Sequence, residues 1–74
     1  MTPENKQRYD VLIDDLRTLD LGTAANVFCN AVNEIGAETA LVYLLGIENM
    51  ALHVGHPDAW KLHHLRQEIK WLLR

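Results

Sequence analysis

Only one cysteine, Cys29, stands in the chain. No intrachain disulfide can staple it, which argues against the small oxidised, secreted class. Long hydrophobic runs are missing too: the longest uninterrupted one, Ala40 to Leu45, is far too short to cross a bilayer. The first ten residues are polar and lack the apolar centre of a signal peptide. These features predict a soluble, cytoplasmic protein with no membrane contact. Neither sign of charge dominates, because seven Lys and Arg stand against ten Asp and Glu, a net charge of −3. That is too little positive charge to announce a nucleic-acid binder and too little negative charge to mimic DNA. Also absent are a glycine-rich phosphate loop, paired catalytic carboxylates and a serine-nucleophile turn, so neither an enzyme nor a cofactor is expected.

What the chain does have is apolar content. At 49% hydrophobic residues it can offset its chain entropy, which disordered sequences cannot. Its 74 residues allow one domain, spanning 1–74, near the lower size limit for folding without metal, disulfide or partner. A homo-oligomer, most simply a dimer, is therefore expected.

Punctuation and periodicity predict four helices and hence an all-α, compact four-helix bundle. Thr2-Pro3-Glu4 combines a capping hydroxyl, a first-turn proline and a carboxylate at the positive end of the dipole. The first helix should run over about 3–19, with Tyr9, Leu12, Ile13, Leu16 and Leu19 on one stripe. Gly22 ends that segment and Thr23 can cap a second helix over about 24–35. Its expected buried face is Ala24, Val27, Phe28, Ala31, Val32 and Ile35, and Asn26, Asn30 and Asn33 form an uncharged polar face opposite. Cys29 falls beside the apolar stripe without a nucleophile motif and is read as a free core thiol.

The third helix, about 38–54, is apolar around well over half its circumference and is expected to be central and the most buried, with only Val42, Gly46, Asn49 and His53 on a narrow strip that can face water or pack closely on another backbone. Gly46 inside it costs about 1 kcal/mol relative to alanine, which suggests a close helix crossing. Glu48 falls within the apolar arc, between Leu44 and Leu52. Either it reaches water at the edge of that arc or it finds a cation, with Arg17, Lys61 and His63 as the candidates, because unpaired burial is expensive.

Gly55-His56-Pro57-Asp58 separates this helix from a fourth, over about 57–73. Ala59, Leu62, Leu65, Ile69, Leu72 and Leu73 form its core face. Trp60, His64 and Trp71 lie within about 40° of one another and about 180° from Leu62 on a helical wheel, so the tryptophans and the leucine stripe cannot share one core. Alongside run His63, Arg66, Gln67, Lys70 and Arg74, a polar edge with a basic bias. Charge is indeed segregated: residues 1–52 carry three basic and eight acidic side chains, and residues 53–74 four basic, two acidic and all four histidines.

The expected function is a small non-enzymatic, protein-binding regulator or inhibitor. It would dock a larger protein, whose identity the sequence does not disclose, through Trp60, His64 and Trp71, with the flanking cations orienting the encounter. One alternative is a structural homo-oligomer that buries the same tryptophans between copies; another places phosphates of a nucleic acid on the basic edge, a weaker expectation. A helix-turn-helix reader is excluded, because Glu38 to Gly46 offers no Lys, Arg or Gln to a base. His53, His56, His63 and His64 are poorly spaced for zinc, and no metal site is expected. Short, mildly acidic helical chains of this kind are often encoded by phages or other mobile elements, and commonly act by occupying a surface of a larger partner.

Overall fold

Thr2 starts the first helix as expected, its Oγ accepting the Asn5 backbone N–H at 3.1 Å. In a computed structural model that describes residues 1–22 and 24–73, four helices follow in order: α1 Pro3–Arg17, α2 Ala24–Ile35, α3 Ala37–His53 and α4 Ala59–Leu72. Thr23, the expected cap of α2, and Arg74 of the expected basic edge lie outside the described residues. The architecture is an all-α four-helix bundle measuring 36 × 22 × 17 Å. Each helix packs on two neighbours: α1 on α2 and α4, and α3 on the same two.

Helix ends follow local hydrogen bonding. α1 stops at Arg17, two residues before the expected end, because the Thr18 hydroxyl donates to the Asp15 carbonyl at 2.7 Å and the Thr18 and Leu19 amides tighten the last turn. Gly36 alone joins α2 to α3, at φ 93° and ψ 160°, a backbone region that is essentially glycine-only. α3 ends one residue earlier than expected in a Schellman motif: the His56 N–H reaches the Ala51 carbonyl at 2.8 Å, the Gly55 N–H reaches that of Leu52 at 3.2 Å, and Gly55 has φ 71°. α4 begins at Ala59, not Pro57, since the Asp58 N–H is turned back onto His56 Nδ1 at 3.0 Å.

Asp58 does more than mark a helix start. Its carboxylate accepts the Asp20 backbone N–H at 2.8 Å and lies 3.7 Å from Lys61 Nζ, so it ties the α1–α2 loop to the head of α4. Asp58→Ala is expected to lower the unfolding free energy by about 0.5–1.5 kcal/mol, since it removes the acceptor from the solvent-exposed Asp20 amide. A thermal melt would show this as a drop of about 2–12 °C for a domain of this size.

Phe28 is fully buried in one core cluster with Leu12, Ile13 and Leu16 of α1, Ala24, Ala25 and Ala31 of α2, Ala40 and Leu44 of α3, and Leu62 and Ile69 of α4. Two expected core residues are not in it. Val27 lies about 100° from Phe28 around α2 and Ile35 is the last residue of that helix, and both are exposed. Ala25 is buried instead and Cys29 is half-buried as a free thiol.

The larger correction concerns α3. It is apolar around most of its surface, yet it is neither central nor the most buried helix. Val42 faces outward on the expected strip, but of the apolar arc only Ala40, Leu44 and Ala51, with Glu48, are buried, and Tyr43 and Met50 also face outward. With two helical neighbours instead of three, α3 has cover along one face only. Gly46 does not serve a crossing within the bundle either, because a Cβ there would meet nothing within 4 Å. Gly46→Ala is accordingly expected to raise the unfolding free energy by about 0.5–1 kcal/mol, measured by urea denaturation at low protein concentration.

Candidate functional site

The face of α4 turned away from the core is built by helical spacing. Trp60, His64, Gln67 and Trp71 recur at intervals of four, three and four residues, which stacks them along one side. Leu62, Arg66 and Ile69 turn the other way into the bundle. Trp60 is 63% exposed and Trp71 67% exposed, so each tryptophan leaves most of its surface outside the core. Eleven residues of α-helix set them about 16 Å apart along the axis. His64 is exposed and Gln67 half-buried between them. Beside His64 the surface dips into an open groove of about 350 Å³ lined by Asp15, Thr18, Leu19, Lys61, His64 and Leu65.

Behind this face lies a buried ionic cluster. Glu48 is 3% exposed and Arg66 8%. Arg66 Nε donates to Glu48 Oε1 at 2.8 Å, and its Nη2 reaches Oε2 at 3.4 Å. His63 Nδ1 lies 3.1 Å from the same Oε2, a distance that suits an N–H donor on that nitrogen. Burial by itself pushes the Glu48 carboxyl up, but the hydrogen bonds from Arg66 and His63 and their charges outweigh it and hold the group below the usual glutamate value. Among the described residues no buried side-chain nitrogen or oxygen lacks a partner.

This cluster decides between the two expectations for Glu48. The carboxylate is buried and paired, not at a wet edge. Of the three cations considered, His63 is a partner, but Arg17 and Lys61 pair elsewhere, with Asp14 and Asp58. Arg66, expected on the outer basic edge, is the principal partner and is a structural residue, not a surface one. The sequence did carry a signal for this. Arg66 lies about 40° from Leu62 around its helix, inside the apolar arc, just as Glu48 lies inside that of α3. Two opposite charges, each out of place on its own helix, point to each other.

The basic edge is therefore narrower than expected. Lys70 is exposed, His63 is half-buried and bonded inward, and Arg66 is neutralised within the bundle. On the opposite margin of α4, Glu68 is bridged to Arg8 of α1, which fastens α4 at the surface. A continuous path of contacts then runs outward: Arg66 holds Glu48, Glu48 holds His63, and the His63 ring meets Trp60 edge-on, with centroids 5.6 Å apart at 82°. His63 also meets His64 at 5.5 Å and 67°. An exposed indole is thus braced from below by a side chain that the core itself positions.

The remaining histidines are dispersed. His56 caps the turn before α4, and His53 is exposed at the end of α3. Among the described residues no three His, Cys, Asp or Glu side chains gather in a way that suits a metal ion. Nor is any helix among them long and apolar enough to cross a membrane. The asparagines of α2, at 26, 30 and 33, are all exposed. Compared with protein-family models, with curated proteins and with solved structures, the chain finds no match in any of the three.

Proposed function

We propose that this protein is a non-enzymatic binding module that regulates or inhibits a larger protein partner by docking the outer face of α4 onto it. The observation that carries this reading is the pair of indoles, each about two-thirds exposed on one helix face and the first of them held in orientation by the Glu48–His63 contact. Tryptophan is enriched at binding hot spots because one side chain removes a large apolar area from water at small entropic cost. An indole that is already positioned loses less freedom on binding. Gln67 and His64 supply polar contacts between the anchors, the groove beside His64 offers a recess for a partner side chain, and Lys70 places a positive charge on the rim, where charge steers encounter.

Intrinsic fluorescence tests the reading. The chain alone should emit as water-exposed indole. Emission should shift to the blue when a partner captured from the native host is purified and titrated back, and the capture should fail for the Trp60→Ala/Trp71→Ala variant. Blue emission from the purified chain that moves to the red on dilution would instead place the tryptophans between copies of this protein.

A further inference from the structure

α3 exposes a second apolar strip, which shares no residue with the tryptophan face. Val42 is 60% exposed, Tyr43 51% and Met50 72%. Between Thr39 and Val54 the sole charged side chain is Glu48, and it is buried, so the strip itself carries no fixed charge. At its middle, Gly46 leaves the helix backbone bare. By contrast, the exposed surface of α1 is crowded with Glu4, Lys6, Arg8, Asp10, Asp14, Asp15 and Arg17.

We propose that this strip is the contact between two copies of the chain, with the α3 helices crossing antiparallel about a two-fold axis at Gly46. The occupant follows from the order of residues around that glycine. A two-fold contact places each residue n positions before the axis against the one n positions after it on the other copy. Val42 then meets Met50 twice over, apolar against apolar. Tyr43 meets Asn49, a hydroxyl against an amide, and Thr39 meets His53. Glu38, exposed just before the strip, falls eight positions before the axis and so comes level with Val54 of the other copy, which keeps its carboxylate at the end of the seam and away from the centre. The absent side chain at Gly46 lets the two backbones approach at the point where they cross, as small residues do at close helix contacts. The net charge of −3 on each copy does not oppose the contact at its centre, because none of that charge lies in the strip.

This arrangement uses no residue of α4, so it stands or falls separately from the docking role of the tryptophans. Sedimentation over about 1 µM to 1 mM should show a mass rising to twice that of the chain, with indole emission unchanged. Val42→Glu should weaken association tenfold or more with the far-UV spectrum intact, because two carboxylates enter an apolar seam. Adding Met50→Lys to that variant should restore it, since each new carboxylate then faces a new ammonium across the axis. Gly46→Cys in a Cys29→Ser background should oxidise to a covalent dimer, which checks the register even if Val42→Glu does not fold. A single-chain mass throughout the range, no rescue by the second substitution, or a dimer abolished by Trp60→Ala/Trp71→Ala but unaffected by Val42→Glu would each overturn the proposal.

Discussion

Replacing Glu48 with alanine is expected to cost about 3–5 kcal/mol of unfolding free energy, because it leaves the Arg66 guanidinium buried without a counter-charge. Marginally stable domains have only about 0.05–0.15 kcal/mol per residue to lose, so the variant should be largely unfolded well below the melting temperature of the parent. The logic lies in the asymmetry between making and breaking a buried pair. Both side chains are almost wholly out of water, at 4% exposed for Glu48 and 10% for Arg66. Solvent therefore does not screen the loss as it would for the exposed Lys6–Asp10 bridge on α1. Removing both charges is a different experiment. Glu48→Leu with Arg66→Met should recover most of the stability lost by Glu48→Ala, since no charge then remains to be solvated.

The same pair sets an acid dependence. Despite burial, the hydrogen bonds from Arg66 and His63 hold the folded-state value of Glu48 below the ordinary glutamate value of 4.5, so its contribution is present in full above that pH. It is lost as the pH falls through the lower folded-state value, where protonation ends the attraction to Arg66 and His63. Urea titrations at a series of pH values should therefore show the wild type losing stability below about pH 4.5 more steeply than the Glu48→Leu/Arg66→Met variant. A loss of less than about 1 kcal/mol for Glu48→Ala at neutral pH, within the range of an exposed pair, would contradict the buried-cluster account.

Trp60→Ala and Trp71→Ala should each weaken binding to the cognate partner by about 2 kcal/mol or more, roughly 30-fold, while changing the stability of the free chain by about 0.5 kcal/mol or less. Each tryptophan is about two-thirds exposed in the isolated chain, so most of the area that truncation removes lies outside the core. His63→Ala separates anchor from brace. It leaves both indoles in place but removes the ring that Trp60 abuts and one of the donors on Glu48. Affinity should then fall by less than for Trp60→Ala, together with a measurable loss of stability. Calorimetric titration paired with thermal melts on the three variants distinguishes these outcomes. If the tryptophan variants lose stability in proportion to affinity, the indoles serve the fold and not a partner.

Local patterns along the chain foretold much of the architecture. The Thr2-Pro3-Glu4 start, the glycines at 36 and 55, and the spacing of Leu62 and Ile69 each act within a few residues, so they are legible without knowing what packs where. The same holds for the outward direction of Trp60 and Trp71: once Leu62 is inside, helical geometry alone puts both indoles outside. The ion pair was half legible. Glu48 is out of place on its own helix and His63 is a candidate partner, but Arg66 resembles its surface neighbours Gln67 and Lys70 in polarity, and only its angle to Leu62 sets it apart.

The order of the helices, their extents to within two residues and the outward tryptophan stripe were thus determined by the sequence, because each depends on backbone chemistry and on a period of 3.6 residues. Only the tertiary structure decided that Tyr43 and Met50 of α3 are left uncovered, that Gly46 meets no helix of its own bundle, and that Arg66 crosses to Glu48. Hydrophobicity states that a surface prefers to leave water but not which neighbour will cover it. That depends on how many helices surround the segment, and α3 has two.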